Sequence, residues 1–592
     1  MIDGLLDRAK DPHTREVLLN VKKLGDSYLG EKFRETMKGR QFGSLVDPGL
    51  EAEVWAEDFY EEDKDVFILV GTGRLHYHKK LTARLGKKQR LFVLDWKLPL
   101  IWHALHNEKE EDLTGAQWYF YPGKDQLFLR IASLLDENLT ARIKFGFVPP
   151  YKVFFRNETN EIEDRMRELI ALNLVRTRTI DLFGAQWINN NLINTGKTFE
   201  RGVPFRELAG KFRDIPAIVV SAGPSLEKNI EQLNDLKDRA VIICSGSAVE
   251  TMNEYGIRPH LLASFDGGEG NYPHFAKLDT GDLRLVYTLD VYPRIVDEFK
   301  GALIPVEGGG KNSYKYLKNM GAPDLGEALI GPSVANFSLD IAVKLGCNPI
   351  ILIGQDLSFS GGKSHARGNF YRVENEDYKN ELRVKGNVEE FVYTTKSWYA
   401  MLKNFEKQIT LYRDKKIINA TEGGAYIQGT ELSTLRSAAE KHLGREYPID
   451  EMIDQSLNNP IRDVDRDDLL SKTERDINLW KDEIRGILKK VSGLIVSLEK
   501  NPSVNGNRKK TIDKIKKFED KLIESDLYSH LIKSLIHGRI LYFERFYRRQ
   551  ATLDPFKVEL WVVKYQRELF RNSLLALEEI SKYIGGLRAK EC

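Results

Sequence analysis

The residues best suited to chemistry sit in one stretch, PAIVVSAGPSLEKNIEQL from Pro216. A short apolar run, Ile218 to Val220, empties into Ser221-Ala222-Gly223-Pro224-Ser225, and helical periodicity follows at once. Gly223 permits a tight turn and close backbone approach. Pro224 fixes φ where no N–H donor is needed. Ser225 is placed to cap the helix, whose first N–H groups then point into the crevice beyond the strand, which suits a phosphate or another anion. No Gly-Lys-Ser/Thr follows, so this is not a Walker loop. A plain strand-to-helix turn capped by serine uses the same residues, and both readings stand at this point.

Other apolar runs end in polar residues that an open parallel sheet would bring to the same edge. AVIICS ends at Ser245-Gly246-Ser247, small and hydroxyl-bearing, suited to a base or ribose. LLASF ends at Asp266-Gly267-Gly268, and PIILIG at Gln355-Asp356. A carboxylate there can accept from hydroxyls, hold a cation or act as a base; a local capping role is the alternative. GPSVANFSLDIAVKLG reads as a helix from Ser333, with Ser333 and Asn336 in its first turn and Val334, Phe337, Ile341 and Leu345 on its buried face. After Asp356, SFSGGKSHARG reads as a flexible polar loop carrying Lys363, His365 and Arg367. The imidazole can serve as a general base, and the two cations can hold phosphate or carboxylate. A solvated loop with incidental charges is the plainer reading.

These strand ends need a scaffold. From Ile215 to about Gly354, PAIVVS, AVIICS, LLASF, LVYTL, ALIPV and PIILIG alternate with helical patterns, which implies βα units and a mostly parallel sheet. Upstream, VFILVGTGRLHYHKKLTARL and RLFVLDW outline another βαβ unit, with Asp95 about 20 residues after Gly71-Thr72-Gly73. The third glycine of G-x-G-x-x-G is absent, so this unit is either a small-molecule site or a purely structural Rossmann-like domain. Beyond about residue 440 the strands stop, and segments such as TIDKIKKFEDKLIESDL, with Ile512, Ile515, Phe518 and Leu522, read as charged helices. The expected architecture is α/β: an N-terminal α/β domain over 1–154, a central Rossmann-like catalytic domain over 155–440, and a helical domain over 441–592.

Composition narrows the function. The 592 residues carry 89 Lys+Arg and 87 Asp+Glu, a net charge of +2, which argues against a nucleic-acid coat. Cys244, Cys347 and Cys592 are the only cysteines; they exclude a disulfide framework or Cys-rich zinc site and suit a reducing compartment. No apolar run approaches the roughly 18 residues that span a bilayer, and the N-terminus lacks a signal-peptide core. A cytoplasmic location, with no membrane or nucleic-acid partner, is the expectation.

SAGPSL at Ser221, SFDGG at Ser264, GPSVANF at Gly331, IGQDLSF at Ile353 and NATEGGAYIQGTEL at Asn419 together resemble the motility accessory factor family of bacterial flagellin glycosyltransferases. The match covers about residues 60 to 435. The central motifs are similar, more distantly, to bacterial sialyltransferases, although Ser221-Ala222 stands where those read Gly-Asn.

The resemblance implies a sialyltransferase-like central domain that takes a pseudaminic- or legionaminic-type nonulosonic acid from a CMP-activated donor to Ser or Thr of flagellin. No tightly bound cofactor or metal is implied. The helix start at Ser225 would stabilise the departing phosphate, with Ser333, Asn336 or Lys363 on the sugar carboxylate. His365, Asp266 or Glu307 would be the base, Glu307 opening Glu307-Gly308-Gly309-Gly310 at a further strand end; Asp356 belongs with these catalytic candidates. Rival readings are phosphoryl transfer, through a related 6-hydroxymethylpterin diphosphokinase domain using ATP and Mg²⁺, and a non-catalytic nucleotide-binding factor in flagellar assembly. LYFERFYRRQ, from Leu541, suits a docking surface for flagellin or its chaperone complex, or equally a helix with an aromatic core face.

Overall fold

The computed structural model describes the chain except residues 1, 10, 38–46, 74, 87–88, 108–112, 138–141, 310–312, 375–380, 463, 502–505, 555–556 and 592. Gly310 and Cys592 therefore lie outside the described residues. The chain forms two compact units. One comprises residues 1–176 with 548–555, the other residues 177–547 with 556–592.

The first unit holds four parallel strands, β1 (Val66–Val70), β2 (Arg90–Asp95), β3 (Ala116–Phe120) and β4 (Ile143–Phe147), in the order β3-β2-β1-β4. Every residue of β1 is buried. An unbroken apolar run is what a parallel strand covered on both faces requires.

The second unit is built on nine strands: β5 (Ala217–Val220), β6 (Val241–Ser245), β7 (Leu261–Ser264), β8 (Arg284–Thr288), β9 (Ala302–Gly308), β10 (Glu327–Ala328), β11 (Ile350–Ile353) and, beyond the antiparallel hairpin β12 (Leu382–Lys385) and β13 (Phe391–Thr394), β14 (Ile417–Asn419) and β15 (Glu431–Leu432). All nine run parallel in the order β10-β9-β8-β7-β6-β5-β11-β14-β15. Alternate side chains of a strand face opposite ways. Ala217 and Val219 accordingly enter the core that includes Phe337, Ile341 and Leu345, while Ile218 and Val220 enter the opposite one with Leu226, Ile230 and Leu285. Each fully buried Val or Ile stabilises by about 1.5–3 kcal/mol.

This order reverses between β5 and β11. The chain leaves β5 toward β6 on one side and returns to β11 on the other, so the connecting segments part there and open a crevice at the strand ends. The helix Val334–Leu345 enters at this point, capped by Ser333, as its sequence indicates.

Beyond residue 440 the elements are helical. Ile477, Ile484, Val491 and Leu498 of the helix Arg466–Lys500 recur every seven residues, a seam that packs against another helix. With Leu569, Leu577 and Ile584 they form a core that also takes in Ile515, Leu522, Ile188 and Leu317. Ile512 and Phe518 pack on its edge. No described helix is long and apolar enough to cross a membrane.

Candidate functional site

A cavity of about 290 Å³ opens at the switch point. It is lined by Ser221, Ala222 and Gly223 after β5, Ser245 and Ser247 at β6, Phe265 and Asp266 after β7, and Gln355 and Asp356 after β11. Ser333, Val334 and Ala335 at the start of the Val334–Leu345 helix form one wall. Ser364 and His365 cover another side, joined by Trp398 and Met401 from the helix Lys396–Leu411. The sequence reading missed Trp398 and Met401. Their signal was present, because Thr395 caps that helix and Trp398, Met401, Leu402 and Phe405 share one face at i, i+3, i+4 spacing, but nothing local says which sheet edge the helix meets.

The turn at Gly223 does a different job from the expected one. Pro224–Lys228 is a five-residue 3₁₀ segment rather than the start of an α-helix, so only a short run of aligned peptides stands behind the turn. The N–H of Ser225 lies 3.3 Å from both carboxylate oxygens of Asp356, and its hydroxyl donates to Oδ2 at 2.6 Å. Ser360 Oγ donates to Oδ1 at 2.6 Å. The anion at this turn is Asp356 itself. Burial raises its pKa, opposed by the Ser225 and Ser360 donors. Gly223 has φ −69°, open to any residue, yet a Cβ there would fall 2.1 Å from Asp356 Oδ2 and 2.5 Å from the Gly354 carbonyl. Glycine is needed for room, not for a left-handed turn. Beside it, Ser221 Oγ donates to Gln355 Oε1 at 2.7 Å.

The helix N-terminus that does face the cavity is the one at Ser333. Ser333 Oγ accepts from Asn336 N at 3.2 Å and donates to Asn336 Oδ1 at 2.8 Å. The first-turn N–H groups of Val334 and Ala335 precede any intrahelical acceptor, and both residues line the cavity. Asn336 itself is fully buried, and its Nδ2 donates to Gln408 Oε1 at 3.2 Å, so it fastens two helices together instead of reaching a ligand. Ser245 Oγ donates to Ser338 Oγ at 2.8 Å.

The expected flexible loop is tied down. Ala366 N donates to the Ala222 carbonyl at 2.8 Å, Ser364 N to the Val373 carbonyl at 2.9 Å, and Asn369 Nδ2 to the Ser247 carbonyl at 3.0 Å. His365 is half-buried, with Nδ1 3.0 Å from Ser364 Oγ. The Ser364 hydroxyl lies 3.2 Å from the Tyr371 carbonyl and accepts from Val373 N at 2.7 Å. With the Ser364 proton on the Tyr371 carbonyl, Nδ1 donates to Ser364 and Nε2 carries the lone pair; with that proton turned to Nδ1, 3.0 Å away, the two nitrogens exchange roles. Burial, then the nearby His274, pushes the His365 pKa down, which favours the neutral base form. Lys363 and Arg367 do not line the cavity; Lys363 pairs through its backbone with Ser360, and Arg367 is exposed, its N–H donating to Glu227 at 2.7 Å.

Asp266 lies at the cavity rim, exposed, accepting from Gly268 N at 2.9 Å. Glu307 does not belong to this site. It is 2% exposed and ion-paired to Lys318 at 3.1 Å, and its strand β9 stands four places from β5, about 19 Å at 4.8 Å per strand.

In the first unit, the crevice beyond β1 is filled from within. Asp95 accepts from Thr72 N at 2.8 Å, from Thr72 Oγ1 at 2.7 Å and from the Tyr151 hydroxyl. A Cβ on Gly71 would meet the Tyr151 ring at 2.7 Å. The acidic residue that would hold a ribose is consumed by these bonds, and the phenol occupies the glycine turn. The glycine turn of this Rossmann-like unit is thus engaged by its own side chains.

Over nearly its whole length the structure matches that of the MAf glycosyltransferase from Magnetospirillum magneticum AMB-1, with a TM-score of 0.56 at 15% identity, covering 95% of this chain and 90% of that one. The two share a fold. The resemblance to the motility accessory factor family is thus borne out at the level of architecture. Residues 189–362, which carry the strands on both sides of the switch point, match a family model described as 6-hydroxymethylpterin diphosphokinase MptE-like. No curated protein matches the sequence.

Proposed function

We propose that the protein is a glycosyltransferase that moves a nonulosonic acid from a CMP-activated donor to a Ser or Thr hydroxyl of flagellin. The observation that carries this reading is the pairing, across one cavity, of a helix N-terminus at Ser333 with a half-buried neutral imidazole at His365. The first supplies N–H donors and a partial positive charge for a single phosphate group. The second supplies a base for a hydroxyl. Ser221, Ser245 and Ser247 offer hydroxyls to the nucleoside and sugar.

In the reaction the acceptor oxygen bonds to the anomeric carbon while the bond from that carbon to the CMP phosphate oxygen breaks. CMP leaves with that electron pair, beside the Val334 and Ala335 N–H groups, and the hydroxyl proton passes to His365 Nε2. Asp356 holds the floor of the site through Ser225 and Ser360 and acts on the reaction through their positions.

The diphosphokinase reading has the family model in its favour; under it, ATP and Mg²⁺ would use the exposed Asp266. Purified protein incubated with a CMP-nonulosonate and unmodified flagellin tests the first reading, by intact mass. A nonulosonate increment on flagellin supports it. No increment, together with AMP release from Mg-ATP and a hydroxymethylpterin, would replace it with the second.

A further inference from the structure

The helices that close the chain leave one face uncovered. Between Lys533–Leu553 and Val558–Glu591 lies a groove of about 480 Å³, lined by Arg539, Tyr542 and Phe543 from the first and by Glu568, Arg571 and Leu575 from the second. All six belong to the second unit, and each set lies on one face of its helix by its three- and four-residue spacing. Elsewhere Val558–Glu591 is packed as a bundle helix should be, with Leu569, Leu577 and Ile584 in the core. The groove face is not. Tyr542 is 64% exposed and Leu575 47%.

The charges there are unbalanced. Glu568 is already paired with Arg567 at 2.9 Å. Arg539 and Arg571 are exposed, and among the described residues neither makes an ion pair or hydrogen bond. From this juxtaposition we propose that the groove is a docking site for an amphipathic, acidic helix of a partner protein. Its apolar stripe would lie on Tyr542 and Leu575, and its carboxylates on Arg539 and Arg571. Two adjacent helices present the furrow into which a third packs, side-chain ridges into grooves. Guanidinium forks take carboxylates by paired hydrogen bonds. The uncancelled positive charge on both walls selects an acidic helix over a basic one. A second copy of this chain is the poorer occupant, since a two-fold contact would bring the same arginines against each other. The groove shares no lining residue with the cavity at the sheet edge.

The test uses the full chain and two fluorescent helical peptides about fourteen residues long, with the same Leu/Phe stripe and either Glu or Lys at the polar positions. In anisotropy titrations at about 50 mM salt the Glu peptide should bind at least about tenfold tighter, with the gap narrowing at about 300 mM. The double variant R539E/R571E should reverse the preference, and Leu575→Ser should weaken the binding of the Glu peptide. Equal binding of the two peptides by the parent protein overturns the proposal, whatever the variants do. So does a preference that survives the charge reversal in protein whose circular dichroism melt is unchanged. A protein dimer in sedimentation that the Glu peptide fails to dissociate would assign the groove to self-association instead.

Discussion

Replacing Gly223 by alanine tests the central assignment of the site. The backbone at φ −69° accepts alanine without strain, so the whole cost is spatial. The new methyl would lie 2.1 Å from Asp356 Oδ2, 2.7 Å from its Cγ and 2.5 Å from the Gly354 carbonyl. Relief needs a shift of about an ångström or more in one of these groups, since ordinary contacts begin near 3.5 Å. Moving Asp356 loosens its bonds from Ser225 and Ser360; moving Gly354 breaks the 2.8 Å bond from Gly223 N. Overpacking costs about 1–3 kcal/mol, and a weakened hydrogen bond to a buried charge about 1.5–3 kcal/mol more. The expected loss is about 3–5 kcal/mol. For a unit of roughly 400 residues, an unfolding entropy of about 2.1 cal/mol/K per residue makes 1 kcal/mol worth about 1.2 °C, so scanning fluorimetry should show a fall of about 4–6 °C in the transition of the second unit. Because the same shift displaces the cavity floor, CMP binding measured by calorimetry should weaken as well. In an Asp356→Ala background the methyl meets only the Gly354 carbonyl, and its cost should drop by about 1–2 kcal/mol. An unchanged melt for Gly223→Ala, or an equal cost in both backgrounds, would show that the carboxylate is not what keeps this position small.

Further outcomes follow from individual side chains. His365→Gln should leave CMP binding intact and slow transfer by roughly 10²-fold or more; a normal rate would move the base to Asp266. The acid limb of kcat/KM should fall at a pH below the ordinary imidazole value of about 6.5, because burial and His274 both favour the neutral ring, and a midpoint at or above that value would contradict the arrangement. Tyr151→Ala should destabilise the first unit by about 3–5 kcal/mol, through the cavity it leaves and the donor that Asp95 loses, while CMP affinity stays unchanged in calorimetry. His260, buried and accepting from Ile242 N at 2.9 Å, has its pKa pushed down to about 4 by burial. The fold therefore binds the neutral ring, and its contribution is complete above about pH 6.5 and lost as pH falls toward 4, up to about 3 kcal/mol. Acid denaturation monitored by circular dichroism should show a smaller loss between those limits in His260→Asn, whose amide oxygen can still accept from Ile242.

Much of the scaffold was legible because parallel strands leave a strong signature. Runs such as VFILV and PIILI are apolar throughout since helices cover both their faces. Polar residues that end a strand therefore stand out, and Ser221, Ser245, Asp266 and Asp356 all came to one edge for that reason. Glu307 shows the limit of the same argument. It too ends a strand, but place in the sheet depends on strand order, and order is set by which connections cross, which no local pattern records. Arg367 and Lys363 failed for a related reason: a loop's charges reach a site only if its backbone is fastened the right way round, here by Ala366 and Ser364.

Gly71 and Gly223 both follow a buried strand, and both are small because something lies against them. At each turn the sequence leaves both a bound ligand and a plain structural turn open. In the first unit the neighbour is the ring of Tyr151, and in the second it is the carboxylate of Asp356. A glycine at such a turn shows that space is filled, and says nothing about whether the protein or a ligand fills it. What separates the units is the rest of the edge. Around Gly71 the phenol, Thr72 and Asp95 satisfy one another. Around Gly223 the carboxylate is satisfied too, yet the first helical turn after Ser333 and the His365 ring line a cavity of about 290 Å³. That open space beside a helix start and an imidazole, and not the glycine, is why we place the chemistry at the second edge.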